Sequence, residues 1–126
     1  MACVLRLIDT LDNITNIKST FNLNPYRTTE KGVDGGRQNC LYYSIDADDA
    51  DVNQNASVDI VMETILRSTN IIEVKKSYPA LRIEIDIAVE LGSEDVSKSV
   101  SIEIFKYPEL MFLEPALIFS IYKTDA

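Results

Sequence analysis

Apolar positions change their period along the chain, and the changes mark its elements. Residues 2–8 (ACVLRLI) are hydrophobic apart from Arg6, the pattern of a strand covered on both faces. Leu11, Ile14, Ile17, Lys18 and Phe21 follow at helical spacing and predict a helix over 11–21. Asp9 or Thr10 can cap it, because a side-chain oxygen there accepts from the free amides of the first turn. Asn22, Asn24 and Pro25 end it. Residues 26–38 (YRTTEKGVDGGRQ) turn polar and glycine-rich and read as a long surface loop. Residues 39–46 (NCLYYSID) carry the aromatic and β-branched side chains of a strand, with Tyr42 and Tyr43 on opposite faces.

Val58, Val61, Met62, Ile65 and Leu66 form the stripe of a second helix, with Ile60 beside it. Asp51 with Gln54 three residues on, or Asn55 or Ser57, supplies its cap. The helix ends near Thr69 or Asn70, and Ile71, Ile72 and Val74 pack underneath on the way out. After the Tyr78-Pro79 break, Leu81, Ile83, Ile85, Ile87, Val89 and Leu91 alternate with Arg82, Glu84, Asp86, Ala88 and Glu90. That is a half-buried strand with one wet face. Residues 92–97 read as a loop, and 99–106 (SVSIEIFK) alternate again. The two strands predict a hairpin in which Ile85 pairs with Ile104, Ile87 with Ile102 and Val89 with Val100. A short helix over 108–113 has Pro at a permitted first-turn position, and 117–122 (LIFSIY) form the last strand. The expected architecture is α+β: one domain over residues 1–126 in the order β-α-β-α-β-β-α-β. Its mixed, mainly antiparallel sheet carries two helices packed on one face.

Composition narrows the function. The 126 residues are 46% hydrophobic and 25% charged, ordinary globular usage for a chain able to bury its own core. Twenty acidic against twelve basic residues leave a formal charge of −8. That sign argues against nucleic acid or anionic lipid as partner, since phosphate contacts need clustered cations. Histidine is absent, so no Ser–His–Asp or Cys–His arrangement can be assembled and no imidazole is offered to a metal. Cys3 and Cys40 are too few for a disulfide framework and lack CxxC spacing; small core hydrophobes are the expectation. The opening MACVLRLIDTLDN has no cationic stretch leading into a long apolar one, and Glu114-Pro115 interrupt the apolar 110–122. A cytoplasmic, reduced protein outside the membrane is expected.

With its elements laid out, the chain resembles the bacterial domain of unknown function family 4279. The shared features are the first strand running at once into a helix (CVLRLIDTLDNITNIKSTFNLNP), the glycine-containing loop (RTTEKGVDGG) and the end IEIFKYPELMFLEPALIFSIYKTD. The last of these resembles that family's strand, short helix and final strand closing on an aliphatic-Tyr pair. The resemblance covers most of the chain. It implies a fold and carries no catalytic residue across.

Four groups of residues attract chemistry. Asp46, Asp48, Asp49 and Asp51 crowd one loop, and Asp49-x-Asp51-x-Asn53-x-Asn55 starts like a calcium loop. Gln54 stands where the sharp turn needs Gly and Ile60 where the bidentate Glu belongs, so no metal site is assigned and a solvated acidic loop is the expectation. Residues 32–37 (GVDGGR) have neither the Lys-Ser/Thr of a phosphate loop nor GxGxxG spacing, and read as a turn. Glu84, Asp86 and Glu90 share the wet strand face, and the hairpin places Glu103 opposite or diagonal to Asp86. Lys75, Lys76 and Arg82 form a local basic cluster explained by surface charge or by pairing with the acidic row.

The leading expectation is a non-enzymatic, cofactor-free binding protein. Glu84, Asp86, Glu90, Glu103, Asp46, Asp48, Asp49 and Asp51 would dock a basic protein, as an immunity protein or antitoxin docks a cationic toxin such as a nuclease. One alternative is an accessory domain that self-associates as a homodimer through the LIFSIY edge. Another is a histidine-free enzyme using carboxylates and a divalent cation.

Overall fold

Two alternating stripes organise the molecule, one on each side of a sheet whose central strand is the first in the chain. The computed structural model describes residues 2–46, 54–91 and 104–123. In chain order these form β1 (Ala2–Ile8), α1 (Leu11–Thr20), β2 (Arg27–Thr29), β3 (Cys40–Asp46), α2 (Gln54–Arg67) and α3 (Ile71–Ser77). Then come β4 (Arg82–Leu91), a 3-10 turn (Ile104–Lys106), α4 (Glu109–Leu113) and β5 (Ala116–Lys123). The strands lie in the order β2-β3-β1-β4-β5. Neighbours are antiparallel except β4 and β5, which run parallel. The fold is a single small α+β domain, as the residue pattern predicts.

Odd-numbered positions face the helices. Leu5, Leu7, Leu41, Tyr43, Ile85 and Ile87 are fully buried and share one cluster with Ile17, Val61, Met62, Ile65 and Leu113. Burying such an aliphatic side chain contributes about 1.5–3 kcal/mol, so these rows decide which face the helices cover. α1 is entered through Thr10, whose hydroxyl accepts from the Asn13 amide at 3.3 Å. Its buried Ile14 and Ile17 lead to Phe21, which meets the Tyr43 ring edge-on at 4.8 Å. Tyr43 is buried and Tyr42 half-buried, the opposite-face arrangement expected of neighbours on a strand.

The structure departs from the sequence expectation in six places. The stretch expected to be one loop contains β2, which pairs with β3 through Arg27–Tyr42, Thr28–Leu41 and Thr29–Cys40. Residues 71–77 are a helix of their own, α3. An Asn pair fastens it: Asn70 Oδ1 accepts from the Asn22 amide at 2.9 Å, and Asn70 Nδ2 donates to Thr20 O at 2.9 Å. Asn55 and Ser57 lie inside α2 and so do not cap it; Asp51 is outside the described residues. β1 is covered by helices on one face, with half-buried Val4 and Arg6 on the other.

The hairpin is the largest correction. Ile85 pairs with Leu5 on one side and Leu117 on the other, and Ile87 with Cys3 and Phe119. Both edges of β4 are therefore taken at these positions. Ile104 opens a 3-10 turn instead of lying in a strand, and the proposed partners Ile102 and Val100 are outside the described residues. Among the described residues four helices, instead of two, pack on the covered face. The connection from β4 to β5 passes through that layer: Tyr107 is buried with its hydroxyl bonded to Asp59 of α2, and Arg67 of α2 holds Glu109 of α4. A crossover of this kind is what lets β5 run parallel to β4.

Candidate functional site

Even-numbered strand residues make up the face opposite the helices, and most of the polar side chains meet there. β1 and β4 pair so that Arg6 stands opposite Glu84, with Asp86 two pairs further along on the same face, opposite Val4. The Arg6 guanidinium donates to Asp86 Oδ2 at 2.8 Å and reaches Glu84 Oε1 at 3.5 Å. The second oxygen of Asp86 accepts from the Ser120 hydroxyl of β5 at 2.7 Å. Arg82 adds a looser contact to Glu84 at 3.7 Å. On the other side of β1, Tyr42 lies opposite Arg6, the Arg27 guanidinium sits 5.1 Å over the Tyr42 ring, and Tyr26 leans on it at 6.2 Å.

This arrangement is closed upon itself. The Arg6, Glu84 and Asp86 side chains are 22%, 19% and 16% exposed, so both carboxylates are partly withdrawn from water and matched by a cation. Burial acts to lower the Arg6 pKa, but the Asp86 hydrogen bond and the charges of Asp86 and Glu84 outweigh it and hold it above its ordinary value. The row chosen from the sequence is thus half neutralised. Arg6 and Ser120 are the site residues that sequence reasoning missed. The signal for Arg6 was present: one cation inside an otherwise apolar strand needs an anionic partner when buried.

The remaining acidic candidates separate from this pair. Asp46 ends β3 opposite Ala2; it is exposed, and no ion pair or hydrogen bond engages its side chain among the described residues. Glu90 stands opposite Tyr122 near the end of β4, which runs past the start of β1. Register places the two positions at the same end of the sheet. Asp48, Asp49, Asp51 and Glu103 lie outside the described residues. Among the described residues no three of Cys, Asp and Glu converge as metal ligands, and no helix is long and apolar enough to cross a membrane.

Other groups resolve into structure. In the glycine loop, Gly32 N and Gly36 N donate to Gly36 O and Val33 O, so these amides are spent within the turn and do not converge on an anion. Gly36 must lack a side chain, because a Cβ there would lie 2.2 Å from Glu30 O. Lys75 Nζ donates to the carbonyls of Pro79 and Leu81 at 2.7 and 2.8 Å, fastening the turn into β4, and Lys76 lies 3.9 Å from Glu73. Cys3 and Cys40 are buried free thiols. Burial pushes them up to about 12 and about 11, far from the reactive thiolate range.

A different feature stands out at the far edge of the sheet. β5 has no strand on its outer side among the described residues, and Phe119, Ile121 and Tyr122 are 41%, 70% and 57% exposed. Comparisons with protein-family models, curated proteins and solved structures find no match to this chain.

Proposed function

We propose that the protein acts by docking another protein, as an immunity protein or antitoxin that covers a basic toxin such as a nuclease. The observation that carries this reading is Asp46, an exposed carboxylate without a partner among the described residues, at the end of the sheet where β4 also finishes. In the sequence three further aspartates, Asp48, Asp49 and Asp51, follow Asp46 within five residues. Glu84 and Asp86 play a structural part in this proposal, because Arg6 already meets their charge. The docking surface therefore shifts from the strand face to the sheet end. A net charge of −8 raises the encounter rate with a cationic protein and rejects anionic ones.

The carboxylate-enzyme alternative is the weaker reading, since its two best-placed carboxylates are both engaged by Arg6. A cytoplasmic location belongs to the proposal and agrees with two buried thiols left unpaired. So does kinship with family 4279, supported by the strand–helix start and the short helix leading into the last strand.

Capture from the native host tests the docking reading. The wild-type chain should retain a basic protein in equimolar amount at low salt. A variant with Asp46, Asp48, Asp49 and Asp51 all changed to Asn should bind it at least tenfold more slowly. Equal association rates for the two, or retention of no basic protein, would dismiss the reading.

A further inference from the structure

The two edges of the sheet are built differently. β2 closes one side with three residues, a length that offers little to pair with. Among the described residues β5 leaves eight residues open along the other, roughly 26 Å of strand at about 3.3 Å per residue. Edge strands are ordinarily blocked by a charge or a proline, yet residues 116–122 (ALIFSIY) contain neither. The helix layer also stops short of this edge. Ile87 and Val89 are buried, whereas Phe119 and Ile121, paired with them in the same rows, are 41% and 70% exposed. Among the described residues this is the one long edge, and in an acidic chain its uncharged run over residues 116–122 does not present itself to a cation; it suits a neutral, apolar strand.

We propose that β5 pairs antiparallel with β5 of a second copy about a two-fold axis at Phe119, joining two five-stranded sheets into one. The register follows from the two faces. A two-fold axis normal to the sheet keeps each copy's helices on the same side, so odd positions must meet odd and even must meet even. Centring on Phe119 sets Phe119 against its own copy and Leu117 against Ile121, filling the helix-side row with apolar pairs. On the open face Ala116 meets Tyr122 and Ile118 meets Ser120. No like charges oppose one another. This edge is separate from the acidic sheet end and does not depend on the toxin-docking reading.

Sedimentation equilibrium of the full chain reads the outcome. The expected mass is twice 14.2 kDa at high concentration, with a Kd on the order of 10 μM, because a single strand edge buries less than the roughly 800 Å² per partner of a standard interface. The dimer should persist in high salt, which relieves repulsion between two acidic copies, whereas docking of a basic partner should weaken. Ile121→Lys should raise the Kd at least thirtyfold with an unchanged circular dichroism spectrum. Phe119→Cys should form an intermolecular disulfide under mild oxidation and Ser120→Cys should not, since only position 119 meets itself. A monomer at every concentration overturns the proposal. So does linkage through position 120 alone, or a monomer whose β5 amides resist exchange as strongly as those of β4, because the chain's own residues would then cover the edge.

Discussion

Replacing Arg6 by Met removes the one cation between two partly buried carboxylates while keeping a long apolar stem. The Arg6–Asp86 contact, at 2.8 Å and with both side chains under a quarter exposed, is a charge-assisted hydrogen bond worth about 1.5–3 kcal/mol. The 3.5 Å contact to Glu84 adds less. Ser120 still donates to Asp86 after the change, so the residual carboxylate is not wholly unmatched. The cost lies between that of a surface pair, about 0.2–1 kcal/mol, and that of breaking a fully buried one, about 3–5 kcal/mol. We expect about 2 kcal/mol, or a Tm lower by about 6–10 °C for a chain of this size. Urea unfolding at pH 7 measures it. The triple variant Arg6→Met, Glu84→Gln, Asp86→Asn should recover more than half of the loss, because no charge is left stranded. If Arg6→Met stays within about 0.5 kcal/mol of wild type, or the triple variant is less stable than the single, then Arg6 does not neutralise this face. Glu84 and Asp86 would then return as docking residues.

Tyr107→Phe should lower stability by about 1 kcal/mol. It should also flatten the acid limb of the stability curve. The Tyr107 hydroxyl, aided by Lys106, holds the Asp59 carboxyl below its ordinary 3.8; that contribution is present above the unfolded value and lost as pH falls through the folded one. An unchanged acid limb would refute the coupling. Cys3 and Cys40 should resist a thiol reagent at pH 8 in the folded protein and react together in urea. Above their ordinary 9.0 stability should decline, as thiols of the unfolded chain ionise first; rapid labelling of the native state would contradict their burial. Tyr43→Phe should be neutral or stabilising by up to about 1 kcal/mol, because the hydroxyl is buried with no hydrogen-bond partner among the described residues. A clear loss in thermal unfolding would show that the hydroxyl is bonded.

Local pattern was enough for most elements and for the buried side of each. The alternation over residues 81–91 marks a strand and selects Ile83, Ile85 and Ile87 for the core, and the Thr10 cap and Leu11 start of the first helix lie where the spacing puts them. These features were legible because side-chain period and capping are properties of neighbouring residues. α3 was not, since a seven-residue helix buries only Ile71 and Val74, too few positions to show a period. Its Asn70 side chain bonds the end of α1 instead of capping its own helix.

Strand neighbours were decided by the tertiary structure alone. A hairpin between 81–91 and 99–106 satisfies local alternation, but the alternation of β4 fits any apolar strand equally well. β1 is the most apolar strand and takes the centre, where both of its edges are paired, and the crossover through α4 brings β5 to the other side of β4. The meaning of the acidic row changed with that choice. Pairing β4 with β1 instead of a strand carrying Glu103 sets Arg6 beside Glu84 and Asp86, turning a row of like charges into an ion-paired one. Periodicity tells a strand which face to bury; which edge it meets depends on the competition among all strands for the buried centre of the sheet.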